Sequence, residues 1–92
     1  MIKTEFRYAT SPWDVSKYDT LELRQNFLIE KIFSKNDILL TYSMFDRLIV
    51  GGAMPADKSL KLETIPYLKS NNFLDRRELG IINVGSTGIV KV

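Results

Sequence analysis

Ile38-Leu39-Leu40-Thr41-Tyr42-Ser43-Met44-Phe45, followed after Asp46-Arg47 by Leu48-Ile49-Val50-Gly51-Gly52, is the stretch that decides the fold. Ile38, Leu40, Tyr42 and Met44 alternate with Leu39, Thr41, Ser43 and Phe45. Period two is that of an extended strand, and apolar residues on both faces predict a well-buried one. Asp46-Arg47 breaks the run. Leu48-Ile49-Val50 resumes it as a second strand and meets Gly51-Gly52. Glycines inside a strand mark a bulge or a close approach of two backbones. The pair has neither G-x-G-x-x-G nor P-loop spacing, so it reads as packing and not as a phosphate cradle.

Upstream, Ile2, Thr4, Phe6 and Tyr8 alternate with Lys3, Glu5 and Arg7, which predicts a strand with one wet face. Ser11-Pro12-Trp13-Asp14 reads as a turn or irregular loop. Asp19-Thr20-Leu21-Glu22 has the spacing of a capping box, with Asp19 as N-cap. Leu23 and Phe27 then share a helical face, so a short helix is expected over 20–26. The β-branched and aromatic run Phe27–Phe33 is expected to be extended, with Glu30 facing outward. Ser34-Lys35-Asn36-Asp37 is a turn signal.

Downstream of the glycines, Met54-Pro55-Ala56-Asp57 is another turn. Ser59-Leu60-Lys61-Leu62-Glu63 is the cleanest half-buried strand pattern, with Leu60 and Leu62 inward. Pro66 and Ser70-Asn71-Asn72 mark a loop. Leu79–Val84 and Ile89–Val92 read as two further strands separated by the turn Gly85-Ser86-Thr87-Gly88. The last of these would be an aggregation hazard if left bare. It is expected to be covered by more of a longer protein or by a second copy. No internal repeat or linker is visible, so residues 1–92 read as one domain or part of one.

Composition narrows the function. The 92 residues hold 13 Lys+Arg and 11 Asp+Glu, a net charge of +2, with no His and no Cys. Without Cys there is no disulfide scaffold, thiolate zinc site or cysteine nucleophile. Without His the commonest metal ligand and the commonest neutral-pH base are missing. Charges of both signs are interspersed, and the one adjacent basic pair, Arg76-Arg77, is flanked by Asp75 and Glu78. Nucleic-acid binding is therefore not expected. No apolar run exceeds three residues, so no membrane span is expected, and the N-terminus has no signal-like apolar region, which makes a cytoplasmic location the expectation. A domain of this length is expected to bury about 60–65% of the surface its unfolded chain exposes.

Asp75-Arg76-Arg77-Glu78 is the densest charge cluster. Arginine forks bind carboxylates and phosphates bidentately, so Arg76 and Arg77 are candidate binders of a sugar acid. The competing reading is that these alternate charges pair with neighbours on a sheet face or at a subunit contact. Asp46-Arg47 is a weaker version of the same signal. Tyr42, Tyr67 and Trp13 could stack on a sugar ring, although core or rim packing is the commoner use. No set of residues makes a catalytic or metal-binding constellation.

Three blocks taken together are more specific than any of these motifs: Asn26–Phe33, Tyr42–Pro55 and Phe73–Gly85. In this order and spacing they resemble the opening portion of the 5-keto-4-deoxyuronate isomerases (4-deoxy-L-threo-5-hexosulose-uronate ketol-isomerases), from about Tyr18 to Val92. The resemblance implies a mainly β fold, part of a cupin-like β-barrel of jelly-roll type. Residues 1–92 would then be a single, incomplete N-terminal cupin-like domain. It implies an aldose–ketose isomerase of pectin and uronate degradation, converting 5-keto-4-deoxyuronate to 3-deoxy-D-glycero-2,5-hexodiulosonate. It also implies a homohexamer, with contacts through sheet edges, and a zinc ion held by three His and a Glu of a second barrel. None of those ligands falls within this chain, which is expected to carry no cofactor and to be inactive alone. Two other readings stay open. The chain could be a stand-alone β-rich assembly module without catalysis, or a small sugar-acid binder using Arg76 or Arg77.

Overall fold

The computed structural model describes residues 2–45 and 47–91. The readings of Asp46 as a strand breaker and of Val92 as the end of a strand lie outside the described residues. The described elements run β1 (Ile2–Arg7), α1 (Pro12–Val15), α2 (Thr20–Phe27), β2 (Ile38–Ser43), β3 (Leu48–Ala53) and a 3-10 turn at Pro66–Leu68. The three strands form one mixed sheet in the order β1-β2-β3.

The decisive stretch folds as its alternation predicts. β2 is the central strand, with Ile38, Leu40, Thr41 and Tyr42 all buried. It pairs antiparallel with β3, Ser43 opposite Leu48 and Leu40 opposite Gly51. On its other side it pairs parallel with β1, which places Phe6 beside Tyr42. A parallel pair cannot be closed by a tight hairpin, and α1 and α2 lie in the crossover between β1 and β2. In β1, Ile2, Thr4 and Phe6 are half-buried while Lys3 and Glu5 are exposed, as the period requires. Tyr8 falls past the strand end and is exposed.

The glycine pair marks a close backbone approach. A Cβ at Gly51 would collide with the Leu39 carbonyl oxygen of β2, and one at Gly52 with the Ile32 carbonyl oxygen. In α2 the capping box is complete. Asp19 Oδ1 accepts from the Glu22 amide at 2.8 Å, and Glu22 Oε1 accepts from the Asp19 amide at 3.4 Å. Ser11-Pro12-Trp13-Asp14 differs from the expected loop. Ser11 caps a single helical turn with Pro12 at its start, a position where proline's missing amide costs nothing.

The core is Ile38, Leu40, Tyr42, Ile65 and Phe73, with Ile2, Phe6, Met44, Ile49, Leu60, Leu62 and Leu68 packed against it. Leu60 and Leu62 face inward and Lys61 and Glu63 outward, so the alternation at 59–63 is correct as to face. It is not a strand, because no neighbour pairs with it among the described residues. Residues 28–33 likewise run without a ladder, beginning extended at Leu28. Among the described residues the strands expected over Leu79–Val84 and from Ile89 are also absent. Both segments are exposed, Ile82 at 87% and Ile89 at 85%. An extended segment becomes a strand only when a second strand takes its amides and carbonyls, and here nothing does.

The sheet is open, with β1 and β3 as its edges. The accessible surface is 7608 Å² for 10.6 kDa, against about 5,500 Å² for a folded monomer of that mass. The chain thus buries about half of its roughly 15,400 Å² unfolded surface, less than the ~60–65% expected from length. The radius of gyration is 15.0 Å, where a compact domain of this length has about 12 Å. Among the described residues no helix is long and apolar enough to cross a membrane.

Candidate functional site

Ile65 and Phe73 are buried, and they pin the segment between them against the sheet. Pro66 opens the 3-10 turn, and Lys69, in the left-handed region at φ 49°, ends it. Thr64 Oγ1 donates to the Ser70 carbonyl at 3.0 Å, closing the loop. Asp75 then turns backward, accepting from the Asn72 amide at 3.0 Å and from Asn72 Nδ2 at 3.2 Å. Asp75 is thereby occupied away from the arginines that follow it.

Arg77 reaches across to the hairpin between β2 and β3. Its Nη2 donates to the Tyr42 hydroxyl at 2.7 Å and its Nη1 to the Arg47 carbonyl at 3.0 Å. Its guanidinium carbon sits 4.8 Å from the Tyr42 ring centre, a cation–π distance. Arg47 closes the hairpin with φ 52°, a conformation that non-glycine residues rarely adopt. Arg76 makes one long contact, to the Lys69 carbonyl at 3.5 Å. Among the described residues neither Arg76 nor Arg77 forms an ion pair with Asp75 or Glu78; Arg77 is held instead by Tyr42 and the Arg47 carbonyl.

These residues border an open cleft of about 470 Å³, lined by Tyr42, Arg47, Tyr67, Leu68, Ser70, Phe73, Arg76 and Arg77. Its wall continues an aromatic cluster. Phe6 lies 5.3 Å from Tyr42 and 4.6 Å from Tyr67, ring centre to ring centre. Tyr67 keeps half its surface exposed, whereas Tyr42 is buried and holds Arg77. Trp13 is not part of the cleft; Lys17 covers its ring at 4.2 Å. Among the described residues no carboxylate lines the cleft, and its three guanidiniums make no ion pair. The arrangement can hold an anion, and the described residues of its wall include no carboxylate or imidazole to act as a base. Both candidates, Arg76 and Arg77, are in it. Arg47 is brought in from 30 residues away, a link no sequence spacing carries.

Two carboxylates outside the cleft are already engaged. Glu30 is outward and pairs with Arg24, accepting from its Nε at 3.1 Å. Asp37 sits beside Lys3, whose ammonium at 3.2 Å holds its carboxyl below the usual value, with the Ser34 hydroxyl helping. Zinc does not fit this chain: there is no His or Cys, and the described residues contain no cluster of carboxylates able to hold a metal.

Relatives place the sequence. A 4-deoxy-L-threo-5-hexosulose-uronate ketol-isomerase of Bacteroides fragilis is 54% identical over 87 residues, covering 95% of this chain. The protein of that name from Formosa agariphila is 57% identical over 90 residues, 98% of the chain. The chain is homologous to the N-terminal portion of these ketol-isomerases. A third, from Halalkalibacterium halodurans, is 50% identical over 88 residues, 96% of the chain. The chain spans about a third of the length of these relatives, 31% and 32% for the first two. No protein-family model matches it.

Proposed function

We propose that this chain is the N-terminal piece of an isomerase that interconverts 4-deoxy-L-threo-5-hexosulose uronate and its ketose, and that it supplies scaffold and not catalysis. The observation that carries this is identity above 50% along nearly the whole chain to ketol-isomerases three times its length. Aldose–ketose isomerisation moves a proton between neighbouring carbons and needs a base within reach of the carbon acid. The described residues hold no cluster suited to that work, and on this reading the base belongs to the rest of the protein. On this reading the open three-stranded sheet is part of a cupin-like barrel whose remaining strands complete it. Zinc and the contacts of a homo-oligomer likewise belong to the assembled, longer protein, which acts in the breakdown of pectin-derived uronates.

The test compares two proteins: the 92-residue chain, and one extended to the length of its relatives. Isomerisation of the uronate and zinc content are measured on both. Turnover and zinc in the longer protein alone are expected. Turnover with stoichiometric zinc in the homogeneous 92-residue chain overturns the reading.

One observation favours the stand-alone assembly module instead. Ile81, Ile82, Val84, Ile89 and Val90 are exposed in a single stretch, and such a surface suits edge pairing between copies. A concentration-independent oligomer of the 92-residue chain in solution would support it.

A further inference from the structure

We propose that the outer edge of β3 takes a fourth strand, and that this strand is Leu79–Val84 of the same chain, laid parallel to β3 once the rest of the protein covers it. The inference rests on the reading of this chain as the N-terminal piece of a longer protein, and it names which segment seats on which edge.

The two edges of the sheet differ. β1 carries Lys3, Glu5 and Arg7 at alternate positions, the kind of charge that keeps an edge from pairing. β3 reads Leu-Ile-Val-Gly-Gly-Ala, with no charge and no proline, and its Leu48 and Val50 are exposed. Among the described residues no backbone hydrogen bond reaches β3 from outside the sheet. Its outward N–H and C=O groups are therefore open to a further strand.

Leu79–Val84 is delivered to that edge. Arg77 Nη1 donates to the Arg47 carbonyl at 3.0 Å, at the residue just before β3 begins. This moors the chain beside the start of β3 two residues ahead of Leu79. At the far end Asn83 shapes a turn. Its Oδ1 accepts from the Gly85 amide at 3.0 Å, and its Nδ2 donates to the Ser86 carbonyl at 3.0 Å. The segment Leu-Gly-Ile-Ile-Asn-Val is itself uncharged. Extended at ~3.3 Å per residue it spans about 20 Å, the length of the six-residue β3.

The topology agrees. β1 connects to parallel β2 over the face toward which Gly52 looks, where Ile32 and Phe33 lie. β3 would connect to the new strand over the other face, where Leu60, Ile65 and Phe73 pack with Leu40 and Tyr42. β3 also runs opposite to β2. Strand direction and face are both reversed, so the second crossover has the same hand as the first. Parallel crossovers share one hand almost without exception. Laid in the same direction on β1, the segment would have the opposite hand. Edge bonds alone replace bonds to water and return less than the ordering of six residues costs. The strand therefore seats only when further chain covers its faces.

The test uses the protein extended to the length of its relatives, beside the 92-residue chain. Amide exchange at Leu79–Val84 and at the outward β3 amides is expected to slow together in the longer protein, roughly 100-fold or more. Protection of Leu79–Val84 without protection of the β3 edge overturns the proposal, as does protection of neither. Two cysteine pairs, Val50→Cys with Ile81→Cys and Val50→Cys with Ile82→Cys, then read the neighbour directly. Adjacent strands lie about 4.8 Å apart, within disulfide reach, and successive side chains point to opposite faces. Only one of the two pairs is therefore expected to close within a single chain on mild oxidation. Closure of both alike, or of neither, overturns the proposal. A bridge between two chains also overturns it, and gives the edge to a second copy. Isomerase turnover and zinc in the same protein without a seated strand would overturn this proposal alone and leave the isomerase reading standing.

Discussion

Gly51→Ala tests the packing of the central strand most directly. The added Cβ would strike the Leu39 carbonyl oxygen and approach Leu40 Cδ2 to 2.7 Å, where ordinary contact begins near 3.4 Å. The leucine methyl can rotate away; the carbonyl belongs to β2 and moves only if the β2–β3 ladder widens. Inserting atoms into such a site costs about 1–3 kcal/mol. Gly51 has no positive φ, so alanine also removes some freedom from the unfolded chain and returns about 0.4–1 kcal/mol. The net expectation is a loss of about 1–2 kcal/mol. At ~0.05–0.15 kcal/mol per residue and with so much surface exposed, total stability should sit near the lower limit of about 5 kcal/mol. A domain of this size loses about 4–8 °C of Tm per kcal/mol, so the midpoint should fall by roughly 5–15 °C. Thermal melts followed by circular dichroism measure this. Gly88→Ala is the matched control, because nothing lies within 4 Å of a Cβ there. If the Gly51 and Gly88 variants melt within about 2 °C of each other, the close-approach argument is wrong.

Asp19→Ala removes the cap of α2, at a cost of about 1 kcal/mol. Because α2 buries no residue, the loss should appear as faster amide exchange at Glu22 and Leu23 with little change in Tm. Tyr42→Phe deletes the hydroxyl that receives Arg77 Nη2 and should destabilise by about 1.5–3 kcal/mol in a denaturant titration. The Asp37 carboxyl is depressed in the folded chain by Lys3, so its contribution is present above the unfolded value of 3.8 and is lost as pH falls through the lowered folded value. Lys3→Met should move the NMR-measured Asp37 pKa upward, since it removes the largest of the influences that lower it.

What the sequence made legible follows from the range of each interaction. The capping box of Asp19 and Glu22 and the two-residue period of β1 and β2 are local, and each is found as read. The alternation at Leu60 and Leu62 identified the inward face but not the absence of a ladder. Facing depends on apolar surroundings, whereas pairing depends on a second strand elsewhere. Leu79–Val84 carries the same pattern and faces solvent, because no surface lies against it. In the cleft, Arg76 and Arg77 stood out as a charge cluster. Their company could not be read, since Arg77 bonds to Tyr42 across 35 positions and to Arg47 across 30. The left-handed turn that brings Arg47 there leaves no mark either, for arginine is not a residue that announces a positive φ.

The surface area separates the two readings of the bare C-terminal segment. The chain exposes about 2,100 Å² more than a folded monomer of its mass should. An ordinary protein contact covers about 800 Å² on each partner, so one edge-to-edge pairing would leave most of the excess in water. Covering all of it takes packing on the scale of a domain core, which is what a further two-thirds of a chain can provide. Amide exchange distinguishes the cases. Leu79 to Lys91 make few internal bonds, with Asn83 among the few residues engaged there. Their amides should exchange at nearly free-peptide rates in the 92-residue chain and become protected in the protein of full relative length. Strong protection of Ile81–Val90 in the short chain alone, independent of dilution, would instead mean that copies of this chain cover one another, and the fragment reading would fail.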